Sequence, residues 1–75
     1  MKTDSRSLNI SVKINGEFKS LPQNISILKL LDIQKINKDR VVIELNNNIL
    51  KKEEFETVYL KENDNLEIVT FVGGG

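Results

Sequence analysis

Hydrophobic and polar residues alternate near the start of the chain. The apolar positions of this pattern are Leu8, Ile10, Val12 and Ile14. A period of two residues is typical of a strand with one buried face. Asn15-Gly16 follows, and both residue types tolerate the positive φ angles of a type I′ hairpin turn. We therefore expect a hairpin whose second strand covers residues 17–21, with Phe18 facing inward, and which stops at Pro22 because proline lacks an N–H.

The next segment has the spacing of an amphipathic helix. Its apolar residues fall on one side of a helical wheel, and they are Ile27, Leu28, Leu30 and Leu31. Ser26 is a good N-cap because its hydroxyl can accept a hydrogen bond from a free first-turn N–H, and Asn24 is the competing cap. We expect a helix of roughly two to three turns ending near Gln34. Ile36 should then be packed against the core by the loop that follows.

Two longer strands are predicted after the helix. Residues 41–45 are rich in β-branched side chains and predict a central strand, and residues 66–72 predict the last strand. Residues 46–48 are three asparagines, which favour a turn. A charged turn of irregular or 3₁₀ geometry is expected next, anchored by Phe55. Residues 58–60 predict a short edge strand.

The order of these elements indicates the fold class. A helix between two strands must cross one face of the sheet, and such a crossover usually joins parallel strands in a right-handed sense. The pattern therefore predicts an α+β fold with one main helix packed across a mixed sheet of roughly four to five strands. The predicted domain covers residues 8–72, between a flexible N-terminal arm at 1–7 and a flexible tail at 73–75.

Composition narrows the functional classes. The 75 residues include 11 Lys plus Arg and 11 Asp plus Glu, so a broad nucleic-acid surface, which needs a basic excess, is not expected. No apolar run approaches the roughly 20 residues of a membrane span, and MKTDSRSLNI contains no signal-peptide segment. The chain has no Cys and no His, which removes the thiolate nucleophile, the near-neutral base and the commonest metal ligands. We expect a cytoplasmic carrier or binding module without a bound metal or cofactor, and not an enzyme.

The tail holds the candidate chemistry. Gly73, Gly74 and Gly75 are three of the four glycines in the chain. A segment without Cβ atoms can thread a channel too narrow for any side chain. An α-carboxylate is ionised at neutral pH and can attack the α-phosphate of ATP, which gives an acyl-adenylate open to a sulfur or amine nucleophile. A disordered end or an expression scar is the alternative interpretation of the tail taken alone.

The residues before the tail are candidate partner contacts. Strand alternation allows one of Phe71 and Val72 to face outward, and an exposed apolar residue beside the tail suits a partner surface. Asp64 lies in a predicted turn and is expected to be structural, since no oxygen cluster suited to a metal ion is apparent around it.

Several segments of the chain resemble the ThiS family of sulfur carrier proteins. They are VVIELNNNIL at residues 41–50, KKEEF at 51–55 and ENDNLEIVTFVGGG at 62–75. Ser26-Ile27 and Leu30-Leu31 also match the family's helix. The resemblance runs from about Leu8 to Gly75. Many family members carry Pro-Arg where this chain has Lys51-Lys52, and residues 1–7 extend beyond the typical start.

The resemblance implies a ubiquitin-like β-grasp fold and a defined chemistry. A ThiS-like carrier is adenylated at its terminal glycine by an E1-like enzyme of the ThiF type, which uses ATP and Mg. Sulfur from a cysteine desulfurase or a related donor then gives a thiocarboxylate, and a ThiG-type thiazole synthase takes that sulfur for thiamine. Carried over, the sulfur-bearing group is the carboxylate of Gly75, while Gly73 and Gly74 thread the partner's channel. No nucleic acid or membrane partner is implied.

Two other functions stay open at this point. The small subunit of molybdopterin synthase uses the same tail chemistry, although its family tends to end in Ala-Gly-Gly after a proline-containing stretch, and this chain has no proline after Pro22. A ubiquitin-like modifier needs the same adenylation but transfers to a lysine amine. A plain β-grasp interaction module would tolerate the loss of Gly75.

Overall fold

The computed structural model describes residues 9–71, which form five strands, one α-helix and two 3₁₀ turns. In chain order these are β1 (Asn9–Ile14), β2 (Glu17–Pro22), α1 (Ile27–Ile33), a 3₁₀ turn (Lys38–Arg40), β3 (Val41–Leu45), β4 (Asn48–Ile49), a second 3₁₀ turn (Lys52–Glu54) and β5 (Asn65–Thr70). The predicted arm at 1–7 and tail at 73–75 lie outside the described residues, as do Leu8 and Val72.

The five strands form one mixed sheet in the order β2-β1-β5-β3-β4. β1 is antiparallel to β2 and parallel to β5, and β5 is antiparallel to β3. β2 and β3 therefore run in the same direction, and α1 connects them as the predicted crossover. This confirms the α+β class with one helix across a mixed sheet. β3 is an interior strand, as predicted, since it lies between β5 and β4, and β5 takes the middle place of the five.

The helix begins and ends as predicted. The Ser26 hydroxyl accepts a hydrogen bond from the Lys29 N–H at 3.0 Å, so Ser26 and not Asn24 is the N-cap. At the other end Lys35 has a φ of 60°, and the Ile36 N–H donates to the Leu31 carbonyl at 2.9 Å. This is a Schellman ending, which turns Ile36 back so that it packs against the core.

One apolar core lies between α1 and the inner face of the sheet. It is built from Ile10, Val12, Ile14, Leu21, Ile25, Ile27, Leu30, Leu31, Ile43, Phe55, Leu60, Leu66 and Ile68. Alternate residues of β1, β3 and β5 supply most of the sheet's share, as the period of two predicts, and Leu21 of β2 adds to them. Phe55 is buried at the end of the second 3₁₀ turn and anchors it, as predicted.

The inward placement of Phe18 is wrong, since its side chain is 64% exposed. The two-residue turn pairs Ile14 with Glu17, which puts Phe18 opposite Lys13 on the outer face of the sheet, away from α1. The Lys13 ammonium nitrogen lies 5.6 Å from the centre of the Phe18 ring. The hairpin turn sets the register, and the register decides which face each side chain takes.

The predicted edge strand at residues 58–60 is also wrong. Tyr59 forms only an isolated bridge with Ser26. The neighbouring backbone groups bond to the entry of α1, with Val58 accepting from Ile27 at 3.0 Å and Leu60 donating to Ile25 at 2.9 Å. Residues 58–60 therefore form hydrogen bonds with the residues around the start of α1 and do not add a strand to the sheet.

Candidate functional site

The candidate site lies where the chain leaves β5. Beyond Thr70, the Phe71 N–H donates to the Arg40 carbonyl at 2.8 Å, so the antiparallel pairing continues one residue past the strand. Phe71 is 52% exposed, so of the two candidate contacts Phe71 faces outward. Val72, with Gly73, Gly74 and Gly75, lies outside the described residues.

Phe71 belongs to an apolar surface on the outer face of the sheet. Val42 of β3 lies directly opposite Val69 of β5, and Phe71 follows Val69 by the two residues that return the chain to the same face. Val69 is exposed and Val42 is half-buried. We call Val42, Val69 and Phe71 the exit patch. These side chains face away from the core, because the residues next to them in the strands, Ile43 and Ile68, face inward and are buried.

Side-chain amides hold β5 in place before it reaches the exit patch. At its start the Asn46 Oδ1 accepts from the Asn65 N–H at 2.9 Å, and the Asn46 Nδ2 donates to the Asp64 Oδ1 at 3.0 Å. The other Asp64 oxygen accepts from the Lys61 N–H at 2.7 Å. Asp64 is therefore a structural residue, as predicted. The sequence reasoning missed the role of Asn46, whose signal is its place in a turn, where its φ of 50° suits asparagine.

An ion pair supports the segment that binds Phe71. The Lys52 Nζ lies 2.5 Å from the Asp39 Oδ1, and Asp39 precedes Arg40, whose carbonyl accepts the Phe71 N–H. The hydrogen bond from Lys52 and its positive charge lower the pKa of the Asp39 carboxyl from its ordinary value. Lys52, one of the two positions at which the chain departs from Pro-Arg, thus joins the two 3₁₀ turns.

Within residues 9–71, no group of three or more Asp or Glu side chains is arranged to hold a metal ion. The helix found in that part of the chain is not long and apolar enough to cross a membrane. The described site is an exposed apolar surface at the end of β5, and in the sequence only Val72 separates it from the glycine segment.

Comparisons with known proteins agree on one family. The ThiS family model matches residues 12–75. A crystal structure of the thiamine biosynthesis protein ThiS from Geobacter metallireducens superposes with a TM-score of 0.75 at 28% identity, covering 88% of this chain and all of that one. The solution structure of a thiamine biosynthesis protein from the same organism gives a TM-score of 0.74.

Sequence relatives extend the comparison. The uncharacterized protein ycf40 of Pyropia yezoensis is 43% identical over 67 residues, which cover 89% of this chain and 94% of that protein. The protein of the same name from Porphyra purpurea is 39% identical over the same length. A thiazole synthase of Paramagnetospirillum magneticum is 34% identical over 62 residues, which cover 83% of this chain but 19% of that enzyme.

Proposed function

The chain belongs to the ThiS family of small carrier proteins, and from this premise we propose that it carries sulfur as a thiocarboxylate on Gly75. Family membership and the structural neighbours support a sulfur-carrier role in thiamine biosynthesis. The observation that carries the finer proposal is the extent of the family match, which includes Gly73, Gly74 and Gly75, two residues and more beyond Phe71 in the sequence.

The chemistry proceeds in three displacements. A Gly75 carboxylate oxygen attacks the α-phosphorus of ATP, and pyrophosphate leaves as its bond to that phosphorus breaks. The terminal sulfur of a donor persulfide then attacks the acyl carbon, and AMP leaves with the oxygen that it received. A thiol of the partner finally attacks the donor's sulfur in the acyl disulfide, which releases the thiocarboxylate and leaves a disulfide between that thiol and the donor. The carrier supplies only the carboxylate, since it has no Cys and no His. The partner supplies ATP, Mg and the catalytic groups, and the carrier binds no cofactor of its own.

The exit patch supplies the docking contact for this chemistry. An activating enzyme of the ThiF type would cover Phe71 and Val72 and draw the glycine segment into its active site. Four residues span at most about 14 Å, so the nucleotide must lie within that distance of Phe71. The side-chain hydrogen bonds of Asn46 hold the start of β5 in place, and the strand in turn positions Phe71, from which this distance is measured.

The thiazole branch is the proposed destination of the sulfur. A thiazole synthase among the sequence relatives and neighbours described as thiamine biosynthesis proteins support it. The proposed partners are therefore a ThiF-like enzyme, a ThiG-like thiazole synthase and a sulfur donor such as a cysteine desulfurase, in the cytoplasm. Transfer to lysine amines would instead identify a modifier.

Changing the length of the tail tests this proposal. Deleting Gly75 leaves a glycine carboxylate but shortens the reach by about 3.5 Å, and a misplacement of about 1 Å can lower a rate roughly a hundredfold. We expect both the deletion and a one-residue extension to lower ATP–pyrophosphate exchange sharply without changing the thermal midpoint. Mass spectrometry should find one oxygen-to-sulfur exchange at the C-terminus of the wild type. Full exchange activity in both variants, or sulfur elsewhere in the chain, would overturn the proposal.

A further inference from the structure

Two glutamates of like charge face each other on the outer face of the sheet. Glu44 of β3 lies directly opposite Glu67 of β5, a position in which like charges destabilise a sheet. Glu44 is half-buried and Glu67 is exposed. The ion pairs within residues 9–71 are Lys19–Glu17 and Lys52–Asp39, so neither of these two carboxylates is paired with a cation from the described chain.

A lysine lies nearby but is directed elsewhere. Lys13 of β1 lies opposite Asn65 of β5, and both face outward. Asn65 is the outward-facing residue of β5 that precedes Glu67. The Lys13 ammonium group nevertheless lies over the Phe18 ring, on the β2 side. Lys13 therefore forms no ion pair with Glu67 in the described part of the chain.

Apolar side chains adjoin the glutamate pair on two sides. Ile49 lies opposite Glu44 across the β3–β4 pairing and is 69% exposed. The Val42–Val69 pair of the exit patch is the next outward-facing pair along β3 and β5. A protein that covers this surface must also desolvate the carboxylates, which is costly unless the covering surface brings a positive charge. The planar fork of an arginine can donate to both carboxylates at once.

We propose that Glu44 and Glu67 form a receptor for a cationic side chain, an arginine by its donor geometry, on the enzyme that activates the tail. This inference rests on the proposed function and adds the charge that the partner must present beside the exit patch. The repulsion lowers the stability of the free carrier, and the partner's cation removes it. The pair thereby favours a basic partner surface over a neutral one.

Single substitutions separate this role from a structural one. Glu67→Gln and Glu44→Gln remove the repulsion, so the thermal midpoint should rise by roughly 1–4 °C. Affinity for a ThiF-type enzyme from the same organism, measured by calorimetry, should instead fall about tenfold, with a weaker dependence on salt. Glu67→Lys should stabilise the free carrier further, by pairing with Glu44, and weaken binding more. Glu56→Gln removes the same charge from an exposed site after the second 3₁₀ turn and should change neither quantity.

Each outcome is decisive. If the wild type binds and is adenylated, but both glutamine variants bind the enzyme as tightly as the wild type, the proposed arginine receptor is wrong and the carrier function stands. The receptor also fails if Glu56→Gln weakens binding as much, since that is an effect of net charge, or if the midpoint falls in Glu67→Gln. A wild type that is neither bound nor adenylated overturns both proposals.

Discussion

The side chain of Asn15 binds both backbone polar groups of Ile68. Its Oδ1 accepts from the Ile68 N–H at 2.7 Å, and its Nδ2 donates to the Ile68 carbonyl at 3.1 Å. The register between β1 and β5 contains only two residue pairs, Lys13 with Asn65 and Ile14 with Leu66. The amide of a turn residue therefore continues the pairing where β1 itself has already turned away.

Replacing Asn15 by glycine tests this contact. Glycine keeps the φ of 50° without strain, so the change isolates the loss of the side chain. We expect a loss of about 1–3 kcal/mol in the free energy of unfolding, because two part-buried backbone groups lose their partners. Asn47→Gly is the matched control, since Asn47 has a φ of 74° in an exposed turn. Equal effects in chemical denaturation would show that the amide contributes nothing.

Lys35→Gly should stabilise the protein. Lys35 follows the C-cap residue of α1 and has a φ of 60°, a conformation that glycine adopts at no steric cost. We expect a gain of about 0.5–1 kcal/mol in the free energy of unfolding. Lys29→Gly, inside the helix, should lower the same quantity by about 1 kcal/mol. A loss of stability in both variants would contradict the Schellman ending.

The Asp39 carboxyl should titrate below its usual range. Its folded-state pKa is lowered by the hydrogen bond and charge of Lys52. The stability that this pair contributes is therefore present above the pKa of the unfolded chain and is lost as the pH falls through the lowered folded value. Lys52→Ala should raise the Asp39 pKa in an NMR titration, as should high salt, because the group is exposed. An unchanged titration midpoint in the variant would argue against the ion pair in solution.

The two exposed phenylalanines of the outer face should differ in function. Phe71→Ser and Phe18→Ser each remove an exposed ring, so each should change stability by no more than about 1 kcal/mol. Only Phe71 adjoins the tail, and only its loss should weaken binding to the activating enzyme, by about tenfold. Similar losses of affinity for both variants would show that the partner covers the face without preference for the exit patch.

Local signals in the sequence predicted most of the fold. The alternation of β1, the Asn15-Gly16 turn and the Ser26 cap each depend on a few neighbouring residues, and the structure confirms them. What these local signals did not predict are relations between strands. The face of Phe18 follows from the turn's register, and the central place of β5 follows from a pairing between distant segments. No single run of residues encodes either relation.

The candidate site also combines features of single segments with relations between strands. The alternation of the sequence leaves open which of Phe71 and Val72 faces outward, and the structure shows that Phe71 is exposed. The opposition of Glu44 and Glu67, like the bond from Asn15 to Ile68, appears only when β5 is aligned with its two neighbours. The role of Gly75 stays a prediction, since it lies outside the described residues.

The short parallel contact between β1 and β5 has a consequence for how the chain folds. The β1–β2 hairpin joins residues that are close in sequence and can form within microseconds. Lys13 and Asn65 lie about fifty residues apart, so bringing them together costs the entropy of closing a long loop. Only two residue pairs between β1 and β5 offset that cost. The seam between these strands is therefore expected to close late and to limit the folding rate.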